Sequence, residues 1–475
     1  MNILNFALLI FTHYLLGWGI LRAIGFKNIT TSIQFTLVSF ILGEGFSSLI
    51  PVIMEMLSLS ITKSNLALAI AVASALPFVF WIKSLSKAPF ASALKGYSHK
   101  VKLYDILFFC LLLSMLYVSF FKCYYFPGTP RDLLSGPEAI AEYTLKEHRI
   151  NNSYFTVDLT STDNYQKPPY LLGLQIIYKS FVQPFGHVWL IPLVFAFFTL
   201  FYVLASKVVH PVLAGIATIL VLANPEFFGY TIMVLFDFSN TVSVFIGFYY
   251  LYQFLKNNDR KYLLLSATGF GLATLARPET IFLVVFTCMA YCIRELIRFR
   301  KGFVKTSMIT CLILLSVPLL VDVFTMEIFI KKFIPSDLNI GGKFNKNLTD
   351  LSPFFQRLYD IVNLLMFTDK TNPKVTYLSS GLYSETFDIL LLFIILELGF
   401  SIYNKKIGFN TGCWFLFIFM VYITLGFIGY LIPWADIPNN AKRGLFKMIP
   451  LTFFFVILTR PIQLFSNLLI KWERK

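Results

Sequence analysis

Eight ionisable side chains stand out in this sequence because they lie in the connections between long apolar segments or at the ends of those segments. They are Asp132, Glu138, Lys167, Asp237, Arg277, Glu279, Lys442 and Arg443. Ionisable residues near membrane depth are costly and often mark a functional cavity. A carboxylate in such a place can take a proton from an attacking hydroxyl, and a cation can stabilise negative charge that grows on a phosphate. The set predicts acid–base chemistry beside a phosphate-binding site.

Each of the four acidic candidates has a functional and a purely structural interpretation. Asp132 is our candidate general base, and its alternative role is to cap a helix predicted over residues 137–149. Glu138 shares that base role or binds the molecule that carries the hydroxyl, unless it only stabilises the first turn of the helix through the helix dipole. Asp237 either orients that molecule or a catalytic side chain, or N-caps its helix. Glu279 either holds Arg277 in place or stabilises a first turn.

The four basic candidates would bind phosphate or anchor the chain at the lipid head groups. Arg277 pairs either with a phosphate or with a nearby carboxylate, and its alternative is a side chain that snorkels to the membrane surface. Lys167 has the same two possible roles: it binds a phosphate, or it lies at the lipid head groups. Lys442 and Arg443 directly precede the last apolar segment, where a free helix N-terminus suits an anion, although basic anchors are common at membrane surfaces.

The cysteines and histidines predict no metal centre. None of the six cysteines forms a C-x-x-C pair, and His148, His187 and His210 are far apart in the sequence. Metal sites need clusters of such ligands at characteristic spacings. We therefore predict neither a metal ligand set nor a certain cofactor, and leave a divalent metal as the one possible addition.

The composition excludes a water-soluble globular protein. Of the 475 residues, 57% are hydrophobic and only 14% are charged, whereas soluble domains carry about 25% charged residues. The net charge is +15, but the basic residues are dispersed between apolar segments instead of forming the long basic arms that bind nucleic acid. The excess of positive charge therefore predicts contact with a membrane surface and no nucleic-acid partner.

A membrane-spanning helix needs about 20 mainly apolar residues, and thirteen segments meet this requirement. They lie near residues 3–22, 34–56, 65–82, 103–123, 187–206, 211–225, 232–255, 262–276, 280–296, 306–328, 386–403, 409–432 and 445–463. The first is expected to remain as a span because it has neither a basic n-region before the apolar stretch nor a small-residue cleavage site after it. Glu44 and Asp322 lie within spans, where we expect a buried, hydrogen-bonded structural role.

Basic residues define the predicted orientation. Short cytoplasmic loops collect Lys and Arg, and the basic connections at 83–102, 256–261 and 294–305 fall on one side of a thirteen-span topology. The N-terminus and the two long connections, 124–186 and 329–385, then lie outside. We expect helices in the membrane interface at residues 137–149 and after Pro168-Pro169, and an amphipathic helix at 353–367 that covers a cavity.

The order of these features resembles the GT-C superfamily of polytopic glycosyltransferases, especially the bacterial branch of aminoarabinose transferases and protein O-mannosyltransferase-like enzymes. The matching features are Asp132 in an outer loop, Lys167-Pro168-Pro169-Tyr170, Asp237 entering a span, Gly271-Leu272-Ala273 before Arg277-Pro278-Glu279, and Arg443 before a final span with Pro450. The resemblance covers roughly residues 103–463. The acidic pair that is frequent after the family's first span is absent, and the first 102 residues have no counterpart.

The thirteen apolar segments and the resemblance together predict an all-α polytopic membrane protein with about thirteen transmembrane helices. Three additional helices would occupy residues 1–102, and a catalytic transmembrane core would occupy residues 103–328, including the outer loop 124–186. A loop at 329–385 would cover the cavity, and the last helices would occupy residues 386–475.

The resemblance also implies a function in the cell envelope. The protein would be a glycosyltransferase of the inner membrane, with its active site on the periplasmic or outer side. It would move a sugar from a polyprenyl-phosphate donor to a glycan, lipid or protein acceptor, with inversion and with Asp132 as the base. The alternatives are a polymerase or ligase of lipid-linked oligosaccharides, and a polytopic transporter or flippase, which would place its charges near the middle of the membrane.

Overall fold

A computed structural model describes most of the chain and shows only helices and their connections there. The described residues are 2–26, 32–85, 102–128, 130, 133–156, 167–183, 185–298, 303–334, 349–366, 382–403, 408–432 and 442–474. Within these ranges the single element of β structure is an isolated bridge between Gly128 and Met233. The predicted all-α class is therefore confirmed for the described residues.

Twenty-one α-helices follow one another along the described chain. They are α1 Ile3–Ile24, α2 Ile33–Ser47, α3 Leu49–Met56, α4 Lys63–Leu85, α5 Leu103–Tyr125, α6 Ala139–Glu147, α7 Tyr170–Phe181, α8 Leu190–Ser206, α9 Pro211–Ala223, α10 Pro225–Ile232, α11 Phe236–Asn257, α12 Arg260–Ala276, α13 Thr280–Ile297, α14 Phe303–Asp322, α15 Lys331–Phe333, α16 Ser352–Met366, α17 Leu382–Tyr403, α18 Phe409–Leu431, α19 Lys442–Leu445, α20 Met448–Leu458 and α21 Arg460–Glu473. Two π-helices cover Leu134–Glu138 and Val323–Ile330, and two short 3₁₀ helices cover Ser153–Thr156 and His187–Trp189.

Several of these helices are long and apolar enough to cross a membrane. Among the described residues there are eight such spans, or up to ten if two bent helix pairs each count as one. The eight spans are Ile3–Ile24, Ile33–Met56, Leu103–Tyr125, His187–Ser206, Thr280–Ile297, Val304–Phe333, Thr386–Tyr403 and Phe409–Leu431. The chain is thus a polytopic membrane protein in outline, and thirteen spans stay a prediction. Helices also form near 65–82, 232–255 and 262–276, but they are not among those eight.

The described chain divides into two compact units. Unit 1 contains Met1–Val203, Tyr230–Pro278 and Ser316–Ser336, and unit 2 contains Leu204–Gly229, Glu279–Leu315 and Asp337–Lys475. In unit 1 the backbones of α1 and α2 almost touch, because a β-carbon added to Gly17 would lie 1.7 Å from the carbonyl oxygen of Ser39. Small residues permit this close approach where lipid provides no hydrophobic driving force between helices.

Contacts at the two ends of unit 1 show which connections lie together. At one end the side-chain amide of Asn5 donates to the carbonyl of Phe181 (2.9 Å), and the ammonium of Lys63 lies 5.9 Å from the ring centroid of Phe181. At the other end the rings of Phe26 and Tyr262 are 5.7 Å apart. The predicted topology places the N-terminus, the start of α4 and the loop 124–186 on the same side of the membrane. The contacts of Phe181 with Asn5 and Lys63 join these three segments.

Helix α7 differs from the expectation that it lies in the membrane interface. Its residues from Tyr170 to Tyr178 are all buried. Gly173 explains this position, because a β-carbon there would lie 1.9 Å from the carbonyl oxygen of Ser48, at the junction of α2 and α3. The glycine lets α7 enter the interior of unit 1, so its broad apolar surface contacts protein.

In unit 2 the expected final span near 445–463 is divided by a bend. Residues Arg443–Leu458 and Arg460–Glu473 meet at an angle of 60°. The carboxylate of Glu397 fixes this corner, since it accepts a hydrogen bond from the backbone N–H of Arg460 (2.9 Å). The amphipathic pattern at 353–367 does form a helix, α16, and Tyr422 donates to the carbonyl of its Leu358 (2.7 Å).

Candidate functional site

Two of the predicted site residues form a buried ion pair in unit 1. Asp237 lies in the first turn of α11, and Arg277 follows the last residue of α12 in an extended conformation. The short connection through Asn258 and Asp259 makes the two helices antiparallel, so the start of α11 and the end of α12 are neighbours. A guanidinium nitrogen of Arg277 lies 2.5 Å from a carboxylate oxygen of Asp237. The expected pairing of Arg277 with a nearby carboxylate is therefore present, and that carboxylate is Asp237.

The surroundings of the pair make its geometry firm. The Asp237 side chain is completely buried, whereas 20% of the Arg277 side chain is exposed. The side-chain amide of Asn240 donates to the carbonyl of Ala273 (2.7 Å), and the hydroxyl of Ser266 donates to the carbonyl of Gly247 (2.7 Å). Both bonds join α11 to α12. The pair therefore consists of a fixed, buried carboxylate and a guanidinium that is partly exposed at the protein surface.

Lys167 reaches the same region from the segment that precedes α7. Its ammonium lies 5.5 Å from the ring centroid of Phe236, the residue directly before Asp237. A cation over an aromatic face is attracted by the negative potential of the ring. Three predicted site residues from three separate segments are thus brought to the start of α11.

Tyr170, the first residue of α7, continues the site inward. Its phenol lies beside Ser239 of α11, and burial raises the pKa of Tyr170, with the nearby Glu44 carboxylate acting in the same direction. Its ring meets the ring of Trp189 edge-on at 6.1 Å. The phenol therefore stays protonated and can donate a hydrogen bond.

Glu138 belongs to a second ionic cluster, which contains Lys179 and His187. The ammonium of Lys179 lies 2.6 Å from one oxygen of Glu138 and 3.1 Å from Glu142, and the imidazole of His187 lies 3.6 Å from the other Glu138 oxygen. Burial raises the pKa of Glu138, but His187 and Lys179 together outweigh it, so the pKa lies below its ordinary value. A carboxylate held ionised in this way is a weak base, so its geometry suits positioning better than proton transfer.

Sequence reasoning did not identify Lys179 and His187 as members of this cluster. One signal was present, because Lys179 is the one charged residue in the mainly apolar α7. Its side chain is 4% exposed, and a buried lysine needs an acidic partner. That partner lies about forty residues earlier in the chain and could not be chosen from periodicity.

The remaining predicted residues are placed as follows. Asp132 lies outside the described residues, although the backbone of Leu133 donates to the carbonyl of Pro130 (2.9 Å) and leads into the π-helix that ends at Glu138. Glu279 directly precedes α13, where its carbonyl accepts from Phe282 (3.2 Å). Lys442 begins α19, and Arg443, its second residue, is half-buried. Glu279, Lys442 and Arg443 belong to unit 2, whereas Asp237 and Arg277 belong to unit 1.

A group of buried polar side chains in unit 1 has no hydrogen-bond partner among the described residues. The group contains Glu44, His13, Gln175 and Tyr178. The rings of His13 and Tyr178 are 5.9 Å apart, and Glu44 acts electrostatically on Tyr178. The hydrogen bond expected for Glu44 is therefore missing. Buried polar groups normally form hydrogen bonds with protein or with ordered water. These four side chains could therefore bind water molecules between the helices that carry them.

Within the described ranges, no three His, Cys, Asp or Glu side chains come together in a way that could hold a metal ion. Comparison with known proteins identifies no relative, since no family model, curated protein or solved structure matches the chain. The fold and the site together define a class: a polytopic α-helical membrane protein with a buried carboxylate that holds a partly exposed guanidinium.

Proposed function

We propose that the protein is a membrane glycosyltransferase of GT-C type. It would transfer one sugar from a polyprenyl-phosphate donor to a glycan, lipid or protein acceptor on the outer side of the membrane. The observation that carries this proposal is the Asp237–Arg277 ion pair, with Lys167 beside it at the start of α11. A lipid-linked donor is suited to this location because the lipid keeps the activated sugar at the membrane surface.

The charges of the site match the charge that the reaction creates. Arg277 and Lys167 contribute two positive charges and Asp237 one negative charge, so the net charge is +1 (2 − 1). A sugar linked through a phosphodiester carries one negative charge, and the departing phosphate gains a second as the glycosidic bond breaks. Fixed cations in a partly dehydrated site stabilise that developing charge. The cations would therefore bind the transition state more tightly than the donor.

In the proposed reaction an acceptor hydroxyl attacks the anomeric carbon on the face opposite the phosphate. The bond from that carbon to the phosphate oxygen breaks, and its electron pair leaves with the phosphate. The proton of the hydroxyl passes to a carboxylate, for which Asp132 is the candidate. Glu138, fixed by Lys179 and His187, would anchor the end of the segment that carries Asp132.

The test is transfer of radiolabelled sugar from a panel of synthetic polyprenyl-phosphate sugars by the purified full-length protein in lipid nanodiscs. Arg277→Gln is expected to lower the turnover by about 100- to 1,000-fold, as for the loss of one group that stabilises developing charge. Arg260→Gln is the matched control, because Arg260 is exposed at the opposite end of the same helix. It should leave turnover unchanged.

Asp132→Asn tests the base, and it should abolish transfer while donor binding is retained. Unchanged transfer in Asp132→Asn would show that Asp132 is not the base. The other two predicted carboxylates, Glu138 and Asp237, would be tested next, although each is paired with a cation. Equal losses in Arg277→Gln and Arg260→Gln would contradict the assignment of the cation site. If no donor is used but intact lipid crosses liposome membranes, a flippase would replace the enzyme.

A further inference from the structure

Unit 1 contains a polar cavity whose lining residues are not those of the Asp237–Arg277 site. Its volume is about 500 Å³, and the residues that matter for its chemistry are Glu55, Ser58, Glu147, Arg149, Asn151 and Phe333. We call it the Glu55 cavity. Ligand sites commonly have volumes of about 300–1,000 Å³, so the cavity is large enough for a small molecule.

The position of the Glu55 cavity relates it to the membrane surface. Two candidate spans, Ile33–Met56 and Val304–Phe333, both end at its wall. The third part of the wall comes from the end of α6 and the residues that follow it. For two helices that cross a membrane, we expect a cavity at their ends to lie near the lipid head groups. Molecules in that layer and in the adjoining solvent would then reach it.

The walls of the cavity are connected by hydrogen bonds. Glu55 accepts from the backbone N–H groups of Ile150 (2.7 Å) and Asn151 (3.4 Å). The backbone N–H of Ile61 donates to the carbonyl of His148 (2.8 Å). These bonds join the last turn of α3 and the segment that follows it to the turn after α6. The cavity is therefore formed before any ligand binds, which lowers the entropic cost of binding.

The side chains of the cavity match the hydroxyl groups of a sugar. Glu55 and Glu147 provide carboxylate acceptors, Arg149 provides a planar set of donors, and Asn151 provides both. The hydroxyl and the backbone N–H of Ser153 both donate to Glu147 and lower its pKa, so this acceptor stays ionised. Each carboxylate oxygen keeps a further lone pair that can accept from a sugar hydroxyl, in addition to the bonds already described.

Phe333 adds the apolar component that a sugar ring requires. Its ring is nearly parallel to that of Phe329, with the centroids 6.1 Å apart and 18° between the planes. This contact restrains the Phe333 ring at the cavity wall. One face of a sugar ring presents C–H groups, and an aromatic ring offers them a favourable surface.

The formal charge of the cavity disfavours a phosphate ligand. With His148 neutral, Glu55 and Glu147 carry two negative charges and Arg149 one positive charge, so the sum is −1 (1 − 2). An anionic head group would be repelled by this charge. We propose that the Glu55 cavity binds a neutral or amine-bearing sugar ring at the membrane surface. Its use as an acceptor subsite rests on the proposed transferase function, whereas sugar binding by itself does not.

The experiment measures binding by the full-length protein in nanodiscs, using saturation-transfer NMR. The probes are methyl glycosides of glucose, galactose, mannose and glucosamine, and short-chain glycolipids with the same head groups. Binding of the methyl glycosides would show recognition of the free sugar, and binding of the glycolipids alone would show recognition of a sugar held in the lipid layer. Either result supports the proposal. Binding of neither class overturns it.

Three variants locate the bound sugar. Arg149→Ala and Glu147→Gln should each weaken binding by about tenfold or more, since each removes a hydrogen bond to a charged group. Both side chains are exposed, so the fold should not change. Lys146→Ala is the control, because Lys146 is an exposed cation on the same helix that does not line the cavity. Equal binding by all variants would place the sugar elsewhere and overturn the proposal.

The test of sugar binding and the test of sugar transfer can fail independently of each other. Transfer from a polyprenyl-phosphate donor to a simple alcohol requires the cation site but no acceptor subsite. If this transfer fails while the glycosides bind, the sugar site stands and the proposed function does not. If the transfer succeeds while Arg149→Ala and Glu147→Gln bind sugar like the wild type, the Glu55 cavity is not the acceptor subsite.

Discussion

Replacing the two members of the Asp237–Arg277 pair should have unequal effects on the stability of unit 1. Arg277→Gln leaves the Asp237 carboxylate completely buried without its cation. An unpaired buried charge costs about 3–5 kcal/mol, and we expect the lower end because part of Arg277 is exposed and some water can enter. Asp237→Asn leaves a guanidinium that can turn to solvent. The expected cost is about 1 kcal/mol, that of an ordinary hydrogen bond.

The double variant Asp237→Asn/Arg277→Gln sharpens this prediction. It removes the buried charge together with its partner, and two neutral amides can hydrogen-bond across the same gap. The double variant should therefore recover about 2 kcal/mol relative to Arg277→Gln, within the range of coupling energies for residues in contact. Transfer activity should not recover, since the cation is still missing. Stability and activity would thus respond differently to the second substitution.

Hydrogen exchange measured by mass spectrometry is the suitable assay, because it reports the local opening of α11 and α12 instead of the unfolding of the whole protein. Peptides that cover residues 236–276 should exchange fastest in Arg277→Gln, more slowly in the double variant and slowest in the wild type. The reasoning is refuted if Asp237→Asn exchanges as fast as Arg277→Gln, or if the double variant is no slower than Arg277→Gln.

Three further predictions concern other parts of the chain. Glu44→Leu should raise the melting temperature, because it removes a buried carboxyl group without a hydrogen-bond partner. Such a group lowers the free energy of unfolding by about 1–3 kcal/mol. A lower melting temperature would contradict this reasoning and indicate that Glu44 has a stabilising partner. Gly173→Ala should prevent α7 from packing against Ser48 and lower the yield of folded protein in size-exclusion chromatography. Gly399→Ala is the control, because a β-carbon added there has no atom within 4 Å, and it should be neutral or stabilising in the same assay. The lowered pKa of Glu138 stabilises the fold above the ordinary pKa of glutamate, and this contribution is lost as pH falls through the lowered value. Melting curves from about pH 6 to pH 3 should therefore fall more steeply for the wild type than for Glu138→Gln, and parallel curves would contradict the assignment.

Apolar runs and dispersed charge were sufficient to predict a helical membrane protein. In lipid every backbone N–H and C=O must be satisfied within the protein, and a helix does this locally, so about 20 apolar residues predict a helix without knowledge of its neighbours. The sequence also singled out Asp237 and Arg277. A short connection between two helices makes them antiparallel, and this local rule was enough to bring the two residues near each other.

The tertiary structure alone decided which apolar surfaces meet protein. Lipid chains and protein interiors are similarly apolar, so periodicity could not show that α7 lies inside unit 1 instead of in the interface. Its burial depends on one glycine that approaches the backbone of Ser48. The Glu138–Lys179 pair and the walls of the Glu55 cavity also join segments that are distant in the chain. Contacts of this kind follow from the packing of whole helices, which no local pattern of residues contains.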